Sequence, residues 1–266
     1  MTRRVRSLSA IAGIAVVAAC APARPVLPSG TGVPFPAFAQ AYDEAVEACR
    51  GARTVLAELG LSGRAGETRL RGRINTGISA PAGIRLEGVA PFGQPIFILA
   101  GRDGNATLLL ARENRVVRDE PPEAIVEALT GVALTPAELL SVVAGCGLGA
   151  RAVSDGRAFG DDWVAVNDGA GTTYLRRVNG RWRVGGAARD PLTVVYAAFE
   201  AGAASTVHVR TGGIADITLR ISQLEVNSTI DDKAFEVDVP PDAIPLTIDE
   251  LRRSGPLGER TADRQE

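Results

Sequence analysis

Residues 69–79 read RLRGRINTGIS, and the alternation in that stretch is unbroken. Leu70, Ile74 and Ile78 fall on one face of an extended chain, while Arg69, Arg71, Arg73 and Asn75 fall on the other. Successive side chains of a β-strand point to opposite faces, so this strand belongs in a sheet with one dry and one wet side. Such a sheet needs partner strands, and the sequence supplies them. GIRLEGV (83–89), PIFILAG (95–101), ATLLLAR (106–112) and RVV (115–117) follow, with Gly and Asp-Gly punctuation that favours antiparallel hairpins. The second half offers 162–167, 172–178, 181–187, 192–200, 205–211, 215–227 and 234–239. In ITLRISQLEV, Ile217, Leu219 and Ile221 alternate, but Leu224 and Val226 resume one position late. A bulge near Ser222-Gln223 would return them to the same face and curve the sheet.

Helical signals are fewer. Phe38, Tyr42, Ala45, Val46 and Cys49 recur at helical spacing and predict an amphipathic helix over 36–50, with Cys49 pointing inward. PPEAIVEALTG (121–131) and TPAELLSVVAG (135–145) begin at or beside Pro and end at Gly, as helices do. PLTIDELRRSGPL (245–257) reads as an extra short helix on the outside. The economical architecture is one α+β domain, a strongly curved antiparallel sheet with a few helices packed in its concavity.

The N-terminus has a different character. Arg3, Arg4 and Arg6 precede LSAIAGIAVVAA (8–19), an apolar run of signal-peptide length that is too short to cross a bilayer as a helix. It stops at Cys20. Val17-Ala18-Ala19-Cys20 resembles the bacterial lipobox, in which the cysteine receives a diacylglycerol and the preceding peptide is cut away. An ordinary secretory signal with a chance cysteine is the competing reading. Residues 1–19 are thus expected to be a lipoprotein signal peptide, and 20–36 a lipidated Cys20 with a Pro- and Gly-rich tether that has no core-forming pattern. Attachment to the membrane would come from that lipid. Cys49 and Cys146 remain, in an oxidising compartment, and either one disulfide or two buried thiols fits them. Two isolated cysteines and one histidine cannot complete a closed zinc site, so no metal is expected. The net charge is −2 and Lys233 is the only lysine, a balance that argues against nucleic acid as a partner.

Three stretches resemble known envelope proteins. GVAPFGQPI (88–96) resembles the strand-turn-strand of the outer-membrane lipoprotein receptor LolB. EALTGVALTPAELLSVVAG (127–145) resembles the helix-Leu-Thr-Gly-helix segment of the same family, and LEVNSTIDDKAFEVDVP (224–240) the C-terminal strand pair of the periplasmic carrier LolA. The resemblance implies an unclosed (half) β-barrel over 37–240, leaving 241–266 as a C-terminal extension. It also implies an apolar hollow that accepts acyl chains, an acylated lipoprotein or other lipid as partner, and exchange with a periplasmic LolA-like carrier. The expected location is the bacterial cell envelope, lipid-anchored at the outer membrane and facing the periplasm. By alternation Ile84 and Leu86 with Ile96 and Ile98 would line the trough, covered by Ile125, Leu129, Leu139 and Val143. Phe92, between Pro91 and Gly93, matches a protruding apolar residue that delivers lipid in LolB; folding back onto the sheet is the other reading. The alternative function is an envelope sensor or structural binding module whose core is filled.

Catalytic constellations are missing, and the chain is not expected to be an enzyme or to carry a cofactor. His208 is the lone histidine and alternation sets it opposite Val207 and Val209, with no G-x-S-x-G elbow to join it. Asp161-Asp162 and Asp231-Asp232 are neighbours that cap and solvate turns. GCGLG (145–149) follows a helix instead of a strand, the wrong context for a phosphate loop. The lipobox is directly testable: Cys20→Ser should yield a precursor that is neither processed nor lipid-labelled. Mass spectrometry finding an unmodified Cys20 at the mature N-terminus would show the resemblance to be accidental.

Overall fold

The computed structural model describes residues 26–89, 95–200 and 202–254. Its strands are β1 (Val33–Pro34), β2 (Thr54–Ala65), β3 (Thr68–Ser79), β4 (Gly83–Val89), β5 (Phe97–Arg102), β6 (Asn105–Leu110), β7 (Arg115–Glu120), β8 (Asp155–Phe159), β9 (Trp163–Asn167), β10 (Thr172–Val178), β11 (Arg181–Arg189), β12 (Leu192–Glu200), β13 (Ala203–Thr211), β14 (Ala215–Val226) and β15 (Ile244–Pro245). Helices are α1 (Phe38–Arg50), α2 (Pro122–Thr130), α3 (Pro136–Ala144) and α4 (Ile248–Ser254). All fifteen strands form one sheet in the order β1-β8-β9-β10-β11-β12-β13-β14-β2-β3-β4-β5-β6-β7-β15. Neighbours are antiparallel except β15 on β7, and the two ends of the order do not pair, so the sheet curls without closing.

The inner face follows the alternation read from the sequence. Val55, Ala57, Leu59 and Leu61 of β2 stand opposite Ile78, Thr76, Ile74 and Gly72 of β3, and Ile217, Leu219 and Ile221 continue the row on β14. The bulge is where the spacing demands it. Pairing of β14 with β2 slips between Ser222 and Glu225, Gln223 adopts φ +50°, and Val226 comes back opposite Val55. β2 itself carries no strand signal as clear as that of β3, because TVLAELGLSGRA is rich in helix formers. Pairing on both sides, with β14 and β3, makes it a strand.

Four helices cover that face from within. Thr135 caps α3, accepting a hydrogen bond from the Glu138 N–H while the Glu138 carboxylate accepts from the Thr135 N–H, and Pro136 opens the first turn. Gly131 and Gly145, both left-handed, end α2 and α3. α1 lies on β11 and β8 with Ala41, Tyr42, Ala45, Val46 and Cys49 buried. Its Cys49 is joined to Cys146, with the Cα atoms 5.7 Å apart.

Two terminal segments depart from expectation. The tether joins the sheet: Val33 and Pro34 pair with β8, and Phe35 meets Trp182 edge-on at 6.2 Å. After β14 the chain crosses the outer face of the sheet, where residues 234–239 are not a strand. Asp232–Phe235 form a 3-10 turn. Phe235 is buried against Gly83, beneath the guanidinium of Arg102 at 5.8 Å, and Arg85 donates to the carbonyls of Ala234 and Glu236. With its backbone bonded to a side chain instead of to a neighbouring strand, FEVDV has no ladder to join. The extension is not an external appendage either. β15 lies beside β7, and α4 packs on α2 with Leu251 fully buried.

The disulfide closes a sequence separation of 97 residues. The chain-entropy treatment gives such a loop on the order of 4 kcal/mol. Cys49→Ala/Cys146→Ala should therefore melt roughly 10 °C below the parent, a difference that thermal denaturation with and without reductant would reproduce. A drop of less than a degree or two would show the crosslink adds no stability.

Candidate ligand cavity

The β2–β3 hairpin is long, paired from Thr54 opposite Ser79 to Ala65 opposite Thr68. Pairing of β3 with β4 among the described residues ends at Arg73 opposite Val89, whereas pairing with β2 continues to Thr68 opposite Ala65. Beside this hairpin lies a cavity of about 1240 Å³. Small-molecule sites run to about 1,000 Å³, so an alkyl chain with a headgroup fits. The cavity reaches both faces of the hairpin. Gly72 and Ile74 come from the inner face, and behind them Leu61, Leu70, Phe97 and Leu110, buried members of the core, back the cavity. Its space has a simple origin. A side chain at Gly72 would meet nothing within 4 Å, whereas at Gly88 the ring of Phe97 already occupies the position a Cβ would take.

The opposite face is basic. Arg64, Arg69, Arg71, Arg73, Arg112 and Arg220 line the cavity with two carboxylates, Glu113 and Asp216. Six guanidiniums against two acids leave a positive field, which a concave surface concentrates. Cross-strand register groups most of them: Asp216, Arg64 and Arg69 form one row, and Arg220, Gly60 and Arg73 another. Among the described residues only Arg73 of the six is ion-paired, with Glu58 at 3.8 Å.

The interior under the helices is filled. Ile84, Leu86, Ile125, Leu129, Leu139 and Val143, expected to line a trough, are brought together in one packed core, and none lines the cavity. Ile98 is a correction. Phe97 and Leu99 take the inner positions opposite Gly88 and Leu86, and Ile98 pairs with Glu87 on the outer face. PIFILAG is apolar at both parities, so alternation alone could not choose its face. Ile96 stands just before the strand, donates its N–H to the Gly88 carbonyl, and lines the cavity. Phe92 and Cys20 lie outside the described residues. His208 bonds Thr218 across the strands at 2.9 Å, and no group of three or more metal-ligating side chains occurs among the described residues. The arginine face was visible in RLRGR, but it read as an ordinary solvated surface.

α3 is fastened at both ends. At its N-terminus Arg189 of β11 is ion-paired with Glu138. Near its C-terminus the fully buried Tyr196 donates to the Val142 carbonyl and accepts from the Gly147 N–H, and Cys146 is tied to α1. Burial pushes the Tyr196 phenol well above its ordinary pKa, so it stays a donor at any working pH.

No protein-family model matches the sequence, and no curated protein matches it. Solved structures do match. The LolA superfamily protein of Nitrosomonas europaea superposes over 75% of this chain and 97% of its own, with a TM-score of 0.50 at 10% identity. The chain has a LolA/LolB-like fold. A DUF1329 family protein from Desulfovibrio piger is also similar, over 74% and 96% of the two chains at 12% identity, with a TM-score of 0.45. So is the lipoprotein LppX of Mycobacterium tuberculosis, over 74% and 99% at 13% identity, with a TM-score of 0.32. Within the LolA/LolB-like half-barrel of this chain, then, the core is packed, and the volume lies at the rim.

Glu138 gives a pH test of the fastened helix. Burial alone would raise its pKa, but the bonds from Arg189 and Thr135 outweigh that and hold it below the usual carboxylate range. A carboxylate with a lowered folded pKa stabilises fully above its unfolded value, about 4.3, and loses that contribution as pH falls through the folded value. The parent should lose more stability than Glu138→Gln between about pH 5 and pH 3. Denaturant midpoints falling in parallel for the two proteins would show that the carboxylate is not coupled to folding.

Proposed function

We propose that this protein is a lipid-anchored envelope lipoprotein that binds the alkyl chain of an acylated molecule in its rim cavity. Its place is the outer membrane, facing the periplasm, where it would receive acylated lipoproteins or other lipids from a LolA-like periplasmic carrier. The observation that carries the reading is the cavity of about 1240 Å³ with an apolar floor, set at the open end of a LolA/LolB-like half-barrel. Lipid handling of this kind needs no covalent chemistry. Covering alkyl groups contributes about 0.8 kcal/mol per CH₂, and release follows from offering the chain a more apolar destination. The residues 17–20 that resemble a lipobox supply the anchor, and no described helix is long and apolar enough to cross a membrane.

A second reading draws on a different observation. The concavity beneath α2 and α3 is occupied by side chains, which suits a sensor or structural binding module that never takes a chain inside. Gly72 separates the two. An alkyl probe such as a fluorescent C16 fatty acid should bind the parent, and Gly72→Phe, whose ring enters the space over β3, should weaken it by about tenfold or more while leaving the melting temperature within a few degrees. A parent that takes no probe, and carries no co-purified acyl ligand in a native mass spectrum, would leave the sensor reading standing.

A further inference from the structure

Apolar floor and basic wall belong to the same segment of chain. Leu70, Gly72 and Ile74 face inward from β3, and Arg69, Arg71 and Arg73, interleaved with them, face outward. Elsewhere in a sheet these two surfaces are separated by the sheet itself. Here residues of both faces line one cavity. A molecule bound at this edge touches both.

Building on the proposed function, we infer that the ligand is an acidic amphiphile. Its phosphate, sulfate or carboxylate lies among Arg64, Arg69, Arg71, Arg73 and Arg220, and its alkyl chain turns over the edge of β3 onto Gly72 and Ile74. The residue type fits that chemistry. A guanidinium presents a planar fork to an anionic oxygen pair, bidentate where geometry allows, and remains charged at every relevant pH. The placement fits as well. Arg64 stands directly opposite Arg69 across the β2–β3 ladder, an arrangement of like charges that destabilises a bare sheet. An anion between them relieves that repulsion. Because all six arginines are exposed, the interaction is screened by salt and supplies selectivity more than total affinity.

The test is calorimetric titration of the full chain, held in an amphipathic polymer at low ionic strength, with three probes. Dodecyl phosphate carries chain and anion, dodecyl maltoside carries the same chain with a neutral headgroup, and inorganic phosphate carries the anion alone. Dodecyl phosphate should bind about tenfold tighter than the maltoside. Arg69→Gln/Arg71→Gln/Arg73→Gln should remove that preference, bringing dodecyl phosphate to within about twofold of the maltoside. Arg64→Gln/Arg220→Gln, on the two neighbouring strands, should weaken dodecyl phosphate in the same direction. Equal binding of the phosphate and the maltoside would overturn the inference while leaving alkyl binding intact, and it is the result expected if the arginines serve an acidic membrane surface instead. Inorganic phosphate binding as tightly as dodecyl phosphate would overturn it too, by showing an anion site that ignores the chain. A preference that survives in both variants would place the headgroup elsewhere. Binding of none of the probes would remove the proposed function itself.

Discussion

A sheet that curls without closing has one whole face of apolar side chains and no opposite wall of its own to bury them against. In a closed barrel the far strands do that work; here α1, α2, α3 and α4 must do it from inside. The remaining features of the molecule serve that arrangement. α3 is held at one end by Arg189 and at the other by Tyr196 and the Cys49–Cys146 bond, so the cover cannot lift without breaking contacts at both ends. Among the described residues the two edge strands of the sheet are short, since β1 and β15 have two residues each and offer little to a second chain. The tail after β14 strengthens the design by running across the outer face, planting Phe235 over Gly83, and returning Leu251 to the same core the helices fill.

Filling the concavity moves any binding volume to the rim. That matters for transfer, because a site under the helices would need α3 to move for each loading and unloading. A site beside the β2–β3 hairpin does not. Ten methylenes fully covered would contribute about 8 kcal/mol, which corresponds to a complex of about micromolar affinity. A cavity open to solvent covers a chain only in part, so the complex is weaker, and a weak complex suits a protein that must hand its ligand on.

How much of this could be read from residue order follows from how local each feature is. Leu70, Ile74 and Ile78 fixed the face of β3, and the one-residue delay before Leu224 and Val226 located a bulge, because both are properties of a single strand. Thr135-Pro136 and Gly145 marked the ends of α3 for the same reason. β2 was hidden, since its Leu, Ala and Glu content favours a helix and only pairing on both sides makes it a strand. Ile98 was misplaced because its neighbours Phe97 and Leu99 are equally apolar, and the choice between parities belongs to the partner strand. Residues 234–239 alternate well enough to pass for a strand, yet Arg85 and Arg102, more than a hundred residues upstream, hold that segment in another conformation. The cavity was the least legible feature. It is lined from several strands far apart in the chain and depends on Gly72 facing open space, neither of which is a property of one segment.

RLRGR carries the same lesson in electrostatic form. As a strand face it is an ordinary wet surface, and nothing in the segment distinguishes solvated arginines from a binding row. Pairing changes its meaning, because it brings Arg64 against Arg69 and sets Arg220 beside Arg73 across Gly60, a residue that contributes no side chain between them. Some exposed cations meet carboxylates, as Arg181 meets Glu44 and Glu47 on α1, and Arg252 meets Asp249 and Glu127 near the tail. At the rim, Glu58 is the described ion-pair partner of Arg73, while the other five arginines of the cavity have none among the described residues. The same residues that weaken the unliganded hairpin by repulsion are those an anionic headgroup would satisfy, so selectivity would come from charge and retention from the apolar floor beneath it.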